Sequence, residues 1–189
     1  RALRDGPVRP SGAAHAALVV AVQEARGLPP LPQARREAEA VLAAVPGARL
    51  LLDEEATVDA VEEALGEHTV VHFACHGDND ASLALLRGGG LHLASGGTLP
   101  ATRIQESPLD HGALAFLSAC STAEPHPGLP DEPMHLAAAF QLAGFRSVIG
   151  TLWRAPDSPG MAAEVYAALT ARGTRPPDPT ASAAALNAA

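Results

Sequence analysis

Apolar positions along the chain predict strands that alternate with helices. Strands that are covered by helices on both faces are continuous apolar runs. Five segments fit this pattern: His15–Val22, the first residues of 48–56, Thr69–Ala74, Gly112–Ser121 and Arg146–Trp153. Helical composition or periodicity marks the segments between and after them: 33–45, 57–66, 131–145, 158–173 and 181–189. This alternation predicts an α/β fold with a mostly parallel sheet and helices on its faces.

Local signals support the first two helices. The first predicted helix carries a single apolar face, as packing on a sheet requires. That face consists of Ala34, Ala38, Val41, Leu42 and Val45. The second helix follows Thr57, whose hydroxyl is suited to N-capping, and Gly66 is suited to end it.

The alternation changes between residues 82 and 104, where short apolar segments are separated by glycines. Gly88-Gly89-Gly90 and Gly96-Gly97 are typical of tight turns. We expect an inserted β-hairpin, two short strands around the first of these turns. No Lys-Ser/Thr pair follows the three glycines, so a phosphate-binding loop is disfavoured. The loop after the first strand has a single glycine, Gly27, which disfavours a dinucleotide-binding fold.

Length and composition are those of one domain with a core of small residues. The chain has 189 residues, of which 47% are hydrophobic and only 3% aromatic, so Ala, Val and Leu must fill the core. All 13 basic residues are Arg, a bias typical of high-GC bacterial genomes. The net charge of −8 and the lack of basic clusters disfavour binding to nucleic acid or to an anionic membrane.

The termini and the cysteines suggest a cytoplasmic piece of a larger protein. Residues 1–14 are rich in Pro and Gly and are interpreted as a linker, which leaves 15–189 as the domain. The chain begins without Met and without a signal-peptide core, as a fragment of a multidomain protein would. No apolar run approaches the roughly 18 residues that a membrane helix needs. Two cysteines do not suggest a disulfide framework, so we expect a reducing compartment, the cytoplasm.

Two of the predicted strands end in reactive residues. The run Thr69–Ala74 leads to His76, and a later run leads to Cys120. Because the chemistry of a parallel sheet gathers at the carboxyl ends of its strands, neighbouring strands would bring His76 and Cys120 together. A thiol becomes an effective nucleophile when an imidazole takes its proton. Gly77 follows the histidine, and its N–H and that of Cys120 are suited to hold an oxyanion.

The pattern alone leaves other interpretations open. A cysteine after an apolar strand is more often a core residue than a nucleophile. Adjacent strand residues point to opposite faces, so Cys75 is expected in the core and not beside His76. A metal site is disfavoured because His72 and His76 would lie about 13 Å apart along a strand. His72 is interpreted as a core or edge histidine. The scattered histidines are interpreted as surface or capping groups: His15, His68, His92, His111 and His135.

Three stretches, in this order, resemble the CHAT domain family. They are VVHFACHG from Val70, LAFLSACSTA from Leu114 and MHLAAAFQLAGFRSVIGTLWRAPD from Met134. CHAT domains are caspase-like peptidase domains, in a group that includes separases, and are often attached to tetratricopeptide repeats. The resemblance runs from about His15 to the C-terminus. It implies a three-layer caspase-like sandwich with His76 and Cys120 as the catalytic pair and Gly77 as the oxyanion glycine.

Acidic residues and one aromatic residue flank the expected cleft. Asp78 follows His76, Asp131 lies in the loop after Cys120, and Trp153 and Asp157 follow the last strand. An acidic side chain there would suit a basic residue before the cut bond, as in several caspase-like relatives. Each is also consistent with a solvated loop in an acidic chain, and Trp153 with a cap on the core. Residues 121–130, after Cys120, carry three prolines and an extra histidine, so specificity does not transfer from relatives.

The sequence therefore predicts a cysteine endopeptidase of caspase-like type that needs no cofactor and no metal. No orienting third residue for His76 is visible, and a backbone carbonyl is sufficient for that role. The expected partners are a protein substrate and regulatory tetratricopeptide-repeat or sensor domains in the same or a neighbouring chain. The alternative is a non-catalytic interaction or assembly module in a bacterial signalling protein.

Overall fold

Strands and helices alternate along the chain as the apolar pattern predicts. The structure, a computed structural model, describes residues 17–78, 89–109, 111–119, 136–151 and 159–189. The strands are β1 (Leu18–Ala21), β2 (Arg49–Leu52), β3 (Val70–Ala74), β4 (His76–Asp78), β5 (Gly90–His92), β6 (Thr98–Pro100), β7 (Leu114–Ser118) and β8 (Ser147–Gly150). The helices are α1 (Ala34–Ala44), α2 (Val58–Leu65), α3 (Ala101–Glu106), α4 (Leu136–Ala143), α5 (Pro159–Leu169) and α6 (Ser182–Ala188).

Five of the strands form a parallel central sheet in the order β2-β1-β3-β7-β8. β3 lies at its centre, where Phe73 is level with Val20 of β1 and with Leu117 of β7. All five residues of β3 are buried, because helices cover both faces of the sheet. The expected mostly parallel sheet is confirmed.

Helices on the two faces give the fold three layers. Alternate residues of β3 point to opposite sides of the sheet. Val71 and Phe73 belong to the apolar cluster that includes residues of α2, α3 and α4. Val70 and Ala74 belong to the cluster that includes residues of α1, α5 and α6. The predicted apolar face of α1 is the one that packs here, but the same face also buries Glu37, which the apolar pattern did not predict.

The capping prediction for α2 is confirmed. The Thr57 hydroxyl accepts a hydrogen bond from the Ala60 N–H at 3.3 Å, and Gly66 follows the last residue of the helix. This cap satisfies one of the N–H groups that a helix leaves without a partner in its first turn.

A second sheet, antiparallel and three-stranded, is formed by β4, β5 and β6. An inserted hairpin is present as β5 and β6, but the predicted one lies earlier in the chain, and its first strand, before Gly88, lies outside the described residues. Within the predicted turn, Gly89 has a φ of 81°. Gly90 is the first residue of β5, and the connection to β6 runs through Gly96, which has a φ of 76°. A Cβ on Gly90 would lie 2.6 Å from Thr98 Cγ2, so close strand approach is the reason for glycine there. Residues 101–104, predicted as part of the hairpin segment, belong to α3.

Several predicted features lie outside the described residues. They are the linker 1–14, the first residues of the predicted helix 131–145, and the end of the last predicted strand. The boundary between linker and domain stays a prediction. Within the described ranges, no helix is both long and apolar enough to cross a membrane.

Candidate active site

The strands that lead to His76 and Cys120 are neighbours in the central sheet. β3 and β7 are parallel, and their register sets Ala74 beside Ser118. His76 is two residues beyond Ala74, and Cys120 is two residues beyond Ser118. The segments that follow β3 and β7 therefore leave the sheet at the same carboxyl edge, side by side, as the sequence predicts. Cys120 itself lies outside the described residues, so its pairing with His76 stays a prediction.

His76 is the first residue of β4 and is half-buried. Its Nε2 lies 2.7 Å from the carbonyl oxygen of Pro29, in the loop between β1 and α1. Because a carbonyl oxygen only accepts, Nε2 carries a hydrogen and donates it. The neutral ring then keeps its lone pair on Nδ1, which becomes the nitrogen that can take a proton. A backbone carbonyl thus makes the orienting contact for which the sequence showed no side chain.

Gly77 lies in the middle of β4, opposite Leu91 of β5. The chain passes from the parallel sheet into the antiparallel sheet at this point, since β3 ends at Ala74 and β4 begins at His76. This change of sheet keeps His76 and Gly77 at the edge of the fold instead of continuing them through the core. The assignment of the Gly77 N–H as an oxyanion donor stays a prediction.

The candidate pocket residues are described only in part. Asp78 ends β4, and the structure describes its backbone alone. Asp131, Trp153 and Asp157 lie outside the described residues. Their role in a substrate pocket stays a prediction.

Two residues at this edge were missed by the sequence analysis, Pro29 and Thr151. The Thr151 hydroxyl donates a hydrogen bond to the carbonyl of Ala119, which joins the chain beyond β8 to the residue just before Cys120. Pro29 acts through its backbone, which no side-chain motif reveals. Thr151 is part of the Gly-Thr-Leu-Trp stretch that carried the family resemblance, so a signal for it was present.

Cys75 is a core residue, as its position beside His76 predicts. It is fully buried in the cluster on the α2, α3 and α4 side of the sheet. Burial, with a smaller contribution from the Glu37 carboxylate, raises the pKa of Cys75 to about 12. A thiol that stays protonated in the core is a poor nucleophile, so Cys75 is not a second reactive cysteine.

His72 is also a core residue, as expected, and it lies in a polar setting. Its Nε2 is 3.3 Å from Glu37 Oε1, and its ring centroid is 5.6 Å from that of Tyr166. We call Glu37, His72 and Tyr166 the core polar cluster. Within the described part of the chain, the nitrogens of His72 and the hydroxyl of Tyr166 have no partner with hydrogen-bond geometry. Burial, together with the Glu37 carboxylate, raises the pKa of Tyr166 well above its ordinary value.

The surface assignment of His68 is wrong, although its capping assignment is right. His68 is fully buried, and its Nδ1 lies 2.7 Å from the carbonyl oxygen of Ala64 in the last turn of α2. The ring is buried because it covers the end of that helix where the chain turns into β3. His92 and His111 are half-buried, and His15 and His135 lie outside the described residues. No group of three metal-ligating side chains occurs among the residues that the structure describes.

The fold is similar to that of a solved cysteine proteinase. The crystal structure of the Arg specific cysteine proteinase gingipain R matches with a TM-score of 0.56 and 15% sequence identity. The match covers 80% of this chain and 35% of that chain, so this chain spans well under half the length of that proteinase. At this identity the likeness establishes the caspase-like fold alone. No curated protein matches the chain.

The comparison with protein families agrees with the three stretches and with the fold. The model of the CHAT domain matches residues 1–189. Those residues include the strands β3 and β7, which end side by side at the carboxyl edge, and His76, held there by a backbone carbonyl. With a match over its whole length and a caspase-like fold, the chain belongs to the CHAT domain family.

Proposed function

We propose that this chain is a cysteine endopeptidase domain that cleaves a peptide bond in a protein substrate. Cys120 is the nucleophile and His76 is the base. The observation that carries the proposal is the 2.7 Å contact from His76 Nε2 to the Pro29 carbonyl. It orients the ring and leaves Nδ1 free of the proton, at the sheet edge to which β7 also leads. The caspase-like fold and the family membership support the same assignment.

The reaction follows from the two side chains. His76 Nδ1 takes the proton of the Cys120 thiol, and Sγ attacks the carbonyl carbon of the substrate. The protonated ring then gives that proton to the leaving amine as the C–N bond breaks, which leaves a thioester. Water attacks the thioester, His76 takes a proton from the water, and the thiol is restored when the acid product leaves.

The charge that develops on the substrate oxygen needs hydrogen-bond donors at this edge. We assign that role to the backbone N–H groups of Gly77 and Cys120. Glycine suits the position because it lacks a side chain that would keep the substrate carbonyl at a distance. The Pro29 carbonyl stabilises the imidazolium that forms when His76 is protonated, because its oxygen faces Nε2.

The substrate preference that we propose is a basic residue before the cut bond. The similar structure is described as an Arg specific proteinase. Asp78, Asp131 and Asp157 are the acidic candidates in this chain, and Trp153 is the candidate for the apolar wall of the pocket. We also propose that tetratricopeptide-repeat or sensor domains, in the same or a neighbouring chain, control the activity.

The first test is digestion of a proteome-derived peptide library, read by mass spectrometry. We expect wild-type protein to cut peptides after basic residues and the Cys120→Ala variant to cut none. Cuts that persist with Cys120→Ala would contradict the assigned nucleophile. Cuts after other residues would keep the peptidase and overturn the pocket assignment.

The second test separates an inactive scaffold from a peptidase that awaits an activator. An electrophilic thiol probe should label Cys120 at least about 100-fold faster than Cys75, and His76→Gln should abolish most of that advantage. Labelling of Cys120 that does not depend on His76, together with no cleavage, would overturn the catalytic proposal. It would favour a non-catalytic interaction module instead.

A further inference from the structure

The loop that presents Pro29 is fixed at both ends through one residue, Gln23. The backbone N–H of Gln23 donates to Asp53 Oδ1 at 2.8 Å. Its carbonyl oxygen accepts from the Leu31 N–H at 2.7 Å, which closes the loop around Pro29. Its side-chain Oε1 accepts from Arg35 Nε at 2.9 Å. The position of the Pro29 carbonyl therefore depends on how firmly Gln23 is held.

Asp53 is the residue that holds Gln23 from outside the loop. It directly follows β2, and its second carboxylate oxygen, Oδ2, lies 3.1 Å from Arg35 Nη2. Each oxygen of the carboxylate thus has a different partner, one at the start of the loop and one on α1 just after it. The backbone of Asp53 has a φ of 48°, a left-handed conformation that non-glycine residues rarely adopt. Such a conformation persists where the surrounding contacts determine it.

We infer that Asp53 and Arg35 are positioning residues for His76, and this inference rests on the proposed function. We call Gln23, Arg35 and Asp53 the loop clamp. The loop clamp fixes the loop, the loop fixes the Pro29 carbonyl, and the carbonyl fixes the tautomer and the orientation of His76. Neither Asp53 nor Arg35 contacts the reacting atoms.

Exposure distinguishes this role from a stabilising one. The side chains of Arg35 and Asp53 are 47% and 23% exposed. Exposed ion pairs contribute little to the stability of a fold. If the loop clamp served stability alone, its removal would change little that can be measured. If the loop clamp positions His76, its removal changes the tautomer of the His76 ring, although the side chains of Arg35 and Asp53 do not contact that ring.

The test is the tautomer of His76, measured by long-range proton–nitrogen NMR on the whole chain labelled with nitrogen-15 histidine. The His76→Gln spectrum identifies the ring signals. We expect wild-type His76 to be the Nε2–H tautomer. Asp53→Ala should shift its signals toward a mixture of both tautomers and slow labelling of Cys120 about tenfold, whereas the melting temperature falls by about 4 °C or less.

Matched variants make the result specific. Glu54→Ala removes the neighbouring, exposed carboxylate and should leave the His76 signals as in the wild type. Asp53→Asn keeps an oxygen for the Gln23 N–H but loses the charge that faces Arg35, so its tautomer ratio should be intermediate. If Asp53→Ala does not fold, Arg35→Gln on the surface of α1 carries the same expectation.

The outcomes separate this inference from the proposed function. A folded Asp53→Ala or Arg35→Gln protein with wild-type His76 signals would overturn the loop clamp, whatever the cleavage assay shows. A shifted tautomer in a protein that cleaves no peptide, and whose Cys120 is labelled equally fast with and without His76, would sustain the loop clamp and refute the peptidase. Equal shifts with Glu54→Ala would also overturn the inference, because they would show a general effect of charge.

Discussion

His72 and His76 are four residues apart in the chain but lie in two regions with opposite properties. His72 is fully buried in the middle of β3, in the core polar cluster between α1 and α5. His76 begins β4 at the edge of the fold and is held by the Pro29 carbonyl. Among the described residues, the ring nitrogens of His72 and the hydroxyl of Tyr166 lack partners with hydrogen-bond geometry, whereas His76 at the edge donates from Nε2 to a backbone carbonyl.

The difference shows that surroundings, more than residue type, decide what a titratable group can do. A buried polar group without good partners destabilises the fold and is shielded from reagents. A group at the carboxyl edge of a parallel sheet is accessible and can still be oriented by a neighbouring loop. Cys75 belongs to the first kind of setting, although it is adjacent to His76 in the chain.

The largest expected effect is on stability, from the same substitution at both histidines. His72→Asn should lower the free energy of unfolding by about 3–5 kcal/mol, because Glu37 is left buried without the ring that faces it. His76→Asn should change it by less than about 1 kcal/mol, because His76 is half-buried and loses one hydrogen bond. Urea denaturation followed by circular dichroism measures both.

The double variant Glu37→Leu/His72→Phe is the control for the buried pair. It replaces both members with apolar side chains, so stability should return to the wild-type value or exceed it. If His72→Asn and His76→Asn lowered the free energy of unfolding equally, the contrast between the core and the edge would be contradicted.

The next effect is a loss of stability at alkaline pH. Burial raises the pKa of Cys75 to about 12, and raises that of Tyr166 as well. The unfolded chain releases the Cys75 proton above about pH 9 and the Tyr166 proton above about pH 10, while the folded chain keeps both. The contribution of these groups to the free energy of unfolding should therefore be constant below about pH 9. It should fall by about 1.4 kcal/mol per pH unit above about pH 9, and about twice as steeply above about pH 10.

Urea denaturation from about pH 8 to about pH 10.5 measures this slope. Cys75→Ala removes one of the two buried groups, so its profile should fall less steeply than that of the wild type. Identical slopes in the two proteins would mean that the Cys75 thiol is not protected by the core.

The smallest expected effect is at an exposed ion pair. Arg103 of α3 lies against Glu62 of α2, with side chains 54% and 24% exposed. Arg103→Gln should lower the free energy of unfolding by about 1 kcal/mol at most, and by less at high salt, because water and ions screen the pair. A loss as large as that for His72→Asn would remove the distinction between the buried pair and the exposed pair. Denaturation at low and at high salt provides the measurement.

Much of the fold could be predicted because local chemistry and tertiary packing agree. The apolar runs of β1, β3 and β7 are covered on both faces, so their composition alone indicates strands. Thr57 caps α2 with its own hydroxyl, a contact made within one helical turn. The parallel order also follows, because helices separate successive strands.

The predictions failed where distant segments meet. Gly90 was assigned to a turn, but it lies in β5. A glycine is required there because Thr98 of the neighbouring strand β6 leaves no room for a side chain. His68 was predicted as a surface or capping group; it contacts the end of α2, but folding buries it completely. Glu37 is a charged residue on the buried face of α1, and no local pattern places it opposite His72.

The sequence by itself determined which residues we propose for the chemistry: His76 after one buried strand, Gly77 beside it, and Cys120 after another. Residue type and strand pattern are local properties, so they can be recognised along the chain. Only the tertiary structure decided that β3 and β7 are neighbours, and that Pro29, 47 residues before His76, supplies the carbonyl that orients it. A backbone carbonyl is common to every residue, and its role depends on where folding places it.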